Sequence, residues 1–88
     1  MILSLGLKTT AKRFPSLPAV EWEGGSLKYS EFEYQVSELA YSLQHYHGLP
    51  KGAKIAMAME ICAEFLVILF AIWRADMTAI PLNSKLHP

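Results

Sequence analysis

Phe65–Ala75, FLVILFAIWRA, runs apolar for nine residues, from Phe65 to Trp73, before it reaches Arg74. Three readings compete for it: a membrane span, a secretion signal, or the buried centre of a layered domain. A spanning helix needs roughly 20 apolar residues to cross a hydrocarbon core about 30 Å thick. Here Glu60 and Glu64 close one end of the run, and Arg74 and Asp76 close the other. Extending it upstream would carry both glutamates into lipid, at a cost of several kcal/mol. A signal sequence places positive charge ahead of its apolar core. At this N-terminus, MILSLGLKTTAKRF, the cations Lys8, Lys12 and Arg13 follow the apolar start instead. The stretch is therefore expected to be a buried helix in a cytoplasmic protein without a transmembrane segment.

The flanks decide the kind of domain. Lys54–Met59, KIAMAM, and Thr78–Asn83, TAIPLN, are short apolar runs of strand length. Strand, helix and strand within about thirty residues are the signature of a βαβ unit. Its crossover is right-handed in about 98% of cases. The helix is placed from about Cys62 to Ala75. Both strands read as apolar on both faces, as in parallel sheets covered by helices on each side. The helix lacks a polar stripe, so it too needs neighbours on most sides. A chain of 88 residues supplies few of them, and the unit is expected to be part of something larger.

Upstream, Ser30-Glu31-Phe32-Glu33 has the S-x-x-E pattern of a capping box. Phe32, Val36, Leu39, Ala40 and Leu43 then fall on one helical face, and Gly48 with Pro50 ends the helix. This places a helix from Ser30 to about His47. Before it, Val20 and Trp22 alternate with Glu21 and Glu23, and Leu27 and Tyr29 alternate with Lys28. Two period-2 runs joined by Gly24-Gly25 predict a β-hairpin, with Glu21 or Glu23 opposite Lys28. A first helix is expected from about Ile2 to Phe14, weakened by Gly6 and ended before Pro15.

Composition limits the chemistry. Hydrophobic residues make up 52% of the chain and charged residues 18%, below the roughly 25% of an average soluble domain. Eight Lys and Arg balance eight Asp and Glu without a run of like charge, which gives nucleic acid no electrostatic hold. The single Cys62 excludes an internal disulfide and reads as a core or helix-start residue. His45 and His47, two apart near a helix end, do not share a face and make a poor chelate; they suit the C-terminal dipole instead. His87 stands alone near the C-terminus. Trp22 and Trp73 are expected to be core anchors, and Met57, Met59 and Met77 to be strand packing. No Gly-rich loop opens a helix and no carboxylates cluster for magnesium. No catalytic, cofactor-binding or metal-ligating residue is therefore assigned.

The order of these segments resembles the opening of the adenylate-forming (AMP-binding) superfamily, in its acyl-CoA synthetase-like members. The residues that carry the resemblance are Arg13-Phe14-Pro15, Pro18-Ala19-Val20, Leu27-Lys28-Tyr29-Ser30-Glu31-Phe32 and Val36 through Leu43. They continue in Gly48-Leu49-Pro50-Lys51-Gly52-Ala53-Lys54-Ile55-Ala56-Met57, Glu64-Phe65, Ala75-Asp76-Met77 and Ile80-Pro81-Leu82-Asn83. Three places depart from the pattern. Asp76 stands where the family has the glycine that ends this helix, so a left-handed cap must be borne by aspartate. Ala53 replaces an aspartate, and Glu60-Ile61-Cys62-Ala63 replaces an Asn-Ser start, costing the helix its N-cap.

The resemblance implies an α/β fragment of a larger multilayer domain: N-terminal helix, β-hairpin, helix, then a βαβ unit of a parallel sheet. Residues 1–88 would be the N-terminal part of the large domain of a synthetase or ligase, incomplete as a domain. The implied parent reaction joins a carboxylate to ATP, releases pyrophosphate and passes the acyl group to a thiol such as CoA, as in fatty acid metabolism. ATP, Mg and CoA are cofactors implied for the parent, with none expected in this segment. Its phosphate loop, adenine-binding segment and C-terminal lysine have no counterpart among these 88 residues, so the segment is expected to be scaffold. Its partner would be the remainder of the synthetase or a second copy of itself. The alternative is a stand-alone, truncated interaction module that self-associates or pairs its sheet with a partner.

Overall fold

The computed structural model describes residues 2–45 and 48–82. The elements follow in the order α1 (Ile2–Arg13), β1 (Pro18–Trp22), β2 (Gly25–Lys28), α2 (Tyr29–His45), β3 (Lys54–Ala58), α3 (Ala63–Arg74) and β4 (Thr78–Leu82). This is the expected α/β order. The strands form two separate pairs, antiparallel β1–β2 and parallel β3–β4, with α3 as the crossover of the second.

The FLVILFAIWRA stretch lies inside α3. Phe65, Val67, Ala71 and Ile72 are buried, and Leu66, Ile68, Leu69, Phe70 and Trp73 pack half-buried around them. Phe32, Val36 and Ala40 of α2, spaced one turn apart, face the same core. Phe32 meets Phe70 edge to face, with ring centroids 5.4 Å apart and planes at 72°. Leu7 and Ala11 of α1, Met57 of β3 and Met77 before β4 are also buried.

The C-terminal end of α3 explains how an aspartate does a glycine's work. Asp76 adopts φ +65°, the left-handed conformation expected for this position. Its N–H donates to the Trp73 carbonyl (3.0 Å), and the Met77 N–H donates to the Ile72 carbonyl (3.0 Å). Those two bonds make a Schellman motif, and buried Met77 and Ile72 supply its hydrophobic contact. At the other end Cys62 is the N-cap, extended at φ −157° and without a side-chain capping bond. It is exposed, so of its two expected roles it takes the helix start.

Four local expectations change. The hairpin pairs Trp22 with Gly25 and Glu21 with Ser26, so the two-residue loop is Glu23-Gly24 and not Gly24-Gly25. Gly24 carries the positive φ of the turn, +102°. Gly25 serves a different need: a Cβ there would come within 2.9 Å of the Trp22 ring. Second, Lys28 lies opposite Pro18, away from both glutamates' positions, across a register shift between Pro18 and Val20.

Third, the capping box is displaced. The helix begins at Tyr29, and Glu31 accepts a bond from the Lys28 N–H at 2.8 Å. Tyr29 and Ser30 donate their N–H groups to the carbonyls of Leu17 (2.9 Å) and Pro15 (3.1 Å). With its first donors satisfied from the preceding loop, the helix has no need of a hydroxyl cap, and Glu33 is released for another partner. Fourth, Trp22 is 46% exposed, because it lies over Gly25 on the hairpin and not in the core. Gly48 has the expected left-handed φ of +64°. His47, which was placed in the last turn of α2, falls outside the described residues, as do Asn83 and His87.

Among the described residues the parallel pair is covered on one face only. Met57 is buried and Ile55 and Ala79 are half-buried against the core, while Lys54, Ala56, Ala58, Thr78, Ile80 and Leu82 are exposed. The two apolar faces expected from the sequence are present, but the described residues supply a helical layer to just one.

Candidate functional site

Among the described residues no group of three or more His, Cys, Asp or Glu side chains is placed to hold a metal ion. The first two N–H groups of α2 are already bonded to loop carbonyls, and Lys28 N–H to Glu31, so this helix start offers no open nest for phosphate.

The strongest polar cluster ties two helices together. Arg74 Nη1 donates to Glu33 Oε2 (2.6 Å) and Nη2 donates to Glu33 Oε1 (2.7 Å), a bidentate pair. Arg74 Nη1 also donates to Ser37 Oγ (2.8 Å), and that hydroxyl donates to Glu33 Oε2 (2.7 Å). The two charged side chains are 15% and 17% exposed. Burial works to raise the Glu33 carboxyl, but bonds from Arg74 and Ser37 and the charges of Arg74 and Lys8 outweigh it and hold it below the ordinary value. Gln44 Nε2 adds a bond to the Ala75 carbonyl at 3.3 Å. The cluster fixes how α2 lies on α3.

Other singled-out residues are equally structural. His45 stacks on Tyr41 with centroids 4.0 Å apart. Trp73 is half-buried beside Phe70, at 5.5 Å. Met57 and Met77 are buried and Met59 is half-buried, all within the packing. A groove of about 580 Å³ between α1, the hairpin and the α2–α3 pair is lined by Leu7, Val20, Tyr29, Phe32, Leu66 and Phe70.

The surface with directional chemistry is the outer side of the β3–β4 pair. Its register sets Ala56 beside Ile80 and Ala58 beside Leu82, all facing outward. Ile80 is 40% and Leu82 43% exposed, flanked at one end by Lys54 and Thr78. The main chain there is not equivalent on its two edges. The Thr78 N–H donates to the Ala53 carbonyl at 2.8 Å, so Thr78 addresses β3 and Ala53 addresses β4. Main-chain direction alternates along a strand. Ala79 and Pro81 therefore aim away from β3, and Lys54, Ala56 and Ala58 aim away from β4. Pro81 has no N–H to offer, so the outer edge of β4 lacks a donor where the outer edge of β3 has a full row.

The model of the family described as AMP-binding enzyme matches residues 7–88. The chain is 36% identical over 76 residues to surfactin synthase subunit 2 of Bacillus subtilis (strain 168), covering 86% of this chain and 2% of that protein. Its fold is similar to the N-terminal subdomain of Klebsiella oxytoca NpsA, solved in complex with anthranilyl-AMSN. There the TM-score is 0.87 at 27% identity, over 97% of this chain and 22% of that one. It is also similar to o-succinylbenzoate coenzyme A synthetase (MenE) of Bacillus subtilis in complex with ATP and magnesium ion. That match has a TM-score of 0.83 at 25% identity, over 92% of this chain and 22% of that one. The chain spans less than a quarter of each of these proteins.

Proposed function

The chain belongs to the family of AMP-binding enzymes, and from that premise we propose that residues 1–88 are the N-terminal part of the large domain of an ATP-dependent carboxylate-activating enzyme. In this reading the segment is scaffold. Its hairpin, helices and βαβ unit hold one side of a sheet whose reactive loops lie in other parts of the enzyme. One observation carries the proposal: the whole order of elements superposes on the NpsA subdomain over 97% of this chain, yet over 22% of that one.

The reaction in the complete enzyme forms an acyl adenylate from a carboxylate and ATP with loss of pyrophosphate. A thiol then takes the acyl group and AMP leaves. ATP and magnesium are supported by the MenE complex, and CoA as the thiol by that enzyme's name. The anthranilyl group bound to NpsA supports an aromatic acid as substrate at least as well as a fatty acid. A cytoplasmic setting belongs to the same reading. Among the described residues no helix is long and apolar enough to cross a membrane.

ATP–pyrophosphate exchange tests the proposal. The 88-residue chain alone is expected to give none. A chimera in which it replaces the aligned segment of NpsA is expected to fold and exchange pyrophosphate with anthranilate. Exchange by the isolated chain, or a folded chimera without exchange, would overturn the scaffold reading. The rival interaction module draws on the same open sheet face and predicts instead a stable assembly of copies.

A further inference from the structure

We infer that the exposed turn ending α1, residues 12–18, is a site of peripheral contact with an anionic lipid surface. Phe14 and Leu17 enter the bilayer interface there, while Lys12 and Arg13 meet the headgroup phosphates. The inference concerns a surface that the scaffold reading leaves unused, and it does not depend on that reading.

Charge is the first observation. The chain is neutral overall, but its charge is unevenly placed. Lys8, Lys12 and Arg13 are the only charged side chains before Glu21, so residues 1–20 carry a net +3 and residues 21–88 a net −3. Lys8 lies near enough to Glu33 to act on that carboxyl, so its charge is partly answered within the fold. Lys12 and Arg13, in the last turn of α1, are exposed, and among the described residues neither forms an ion pair. Glu31, at the α2 start behind this turn, has its carboxylate on the Lys28 N–H instead.

The second observation is apolar. Residues 12–18 are exposed without a break, and within them Phe14 is 43% and Leu17 51% exposed. The Arg13 guanidinium lies 5.2 Å from the centroid of the Phe14 ring. The Leu17 N–H donates to the Phe14 carbonyl at 3.3 Å. A cation, an aromatic ring and an aliphatic side chain thus share one tight turn. That turn is held from behind, because the Leu17 and Pro15 carbonyls accept the N–H groups of Tyr29 and Ser30. Contact would therefore cost little further ordering of the chain.

An anionic bilayer matches both halves of this surface. Apolar side chains beside Lys or Arg settle at the boundary of headgroups and acyl chains, and each cation near an anionic surface adds attraction. A nucleic acid would answer the cations but leave Leu17 in water, and two cations release few counterions. Contact is peripheral: among the described residues no helix is long and apolar enough to cross the bilayer.

Flotation of the 88-residue chain with vesicles tests the inference. The vesicles are phosphatidylcholine alone, or phosphatidylcholine with about a third phosphatidylglycerol. The expected result is about 30-fold stronger partition onto the anionic vesicles, the effect of two cations near such a surface, and its loss as salt is raised. Lys12→Glu with Arg13→Glu should abolish the preference for anionic lipid. Phe14→Ser with Leu17→Ser should weaken binding about 10-fold, with the circular dichroism and Tm of the free chain unaltered. Leu17→Ser alone serves the same purpose if the double variant is less stable. Ile80→Glu, on the open sheet face, should leave binding unchanged. Equal partition onto the two kinds of vesicle would overturn the inference, as would loss of binding with Ile80→Glu but not with Leu17→Ser. So would binding to a short DNA duplex as tight as to the vesicles and indifferent to Leu17→Ser.

Discussion

Asp76 is the residue at which sequence and backbone are most at odds. A side chain at φ +65° crowds the neighbouring carbonyl, and the Schellman bonds require that conformation all the same. The Lys51 Nζ–Asp76 carboxylate pair, 3.1 Å apart, offsets little because its side chains are 82% and 58% exposed. Asp76→Gly should therefore stabilise the fold by about 0.5–1 kcal/mol, read as a higher Tm in thermal unfolding. A lower Tm would mean that the carboxylate does more than the geometry suggests.

Glu33 makes an opposite case, a residue better placed than its sequence implied. Its carboxyl is held below the ordinary 4.5, so the stability it contributes is complete above that value and is lost as pH falls through the lower folded value. Denaturant titrations between pH 6 and about pH 2 should show wild-type stability falling on the acid side more steeply than that of Glu33→Gln. Arg74→Ala should cost about 2 kcal/mol at pH 7. That lies below the range for a fully buried pair, since some of each side chain still meets water.

At the scale of elements, the period of the apolar residues carried most of the information. The 3.6-residue spacing of Phe32, Val36 and Ala40 and the short apolar runs around Phe65 each gave the right element, because those patterns are set by the face an element buries. What escaped was decided by contacts between distant residues. The α2 cap moved because carbonyls of Pro15 and Leu17 satisfy its first donors, and nothing within Ser30–Glu33 reports that. The Glu33–Arg74 pair joins residues 41 apart, and only the packing of α2 on α3 brings them together. The open sheet face was half legible: the alternating positions were visible as apolar, but not which set α3 would cover.

The glycine turn shows the same limit within four residues. Two adjacent glycines are equivalent on paper, and the pairing of Trp22 with Gly25 assigns them different work. Gly24→Ala places a Cβ at φ +102° and should cost about 1–2 kcal/mol. Gly25→Ala meets only the exposed Trp22 ring, at 2.9 Å, and should leave Tm nearly unchanged while shifting the Trp22 fluorescence. Equal destabilisation by both would restore the loop to Gly24-Gly25.

For the whole molecule, the consequence of covering one sheet face is an apolar surface presented to water by a folded chain. Ala56, Ala58, Ile80 and Leu82 form it in register. The native protein should bind the dye ANS, and Ile80→Glu with Leu82→Glu should abolish most of that signal with no loss of helix in far-UV circular dichroism. Dye binding unaffected by both substitutions would assign the exposed surface to the groove beside Phe70 instead. The family resemblance was legible across nearly the whole chain because it lies in the order of local motifs. The difference between the two free edges of the sheet was not, since it depends on which way each peptide of β3 and β4 points.

The turn at Asp76 reaches beyond the helix it ends. Its carbonyl accepts the Gly52 N–H at 2.8 Å, one step before the Thr78–Ala53 bond that starts the parallel ladder. The stop of α3 and the register of β3 with β4 thus share one turn. A parallel pair must close a long stretch of chain before any ladder bond rewards it, and this turn presents the first acceptor as soon as the helix has formed. Substitutions in residues 72–78 are accordingly expected to slow folding more than they speed unfolding, read from the two arms of a chevron plot.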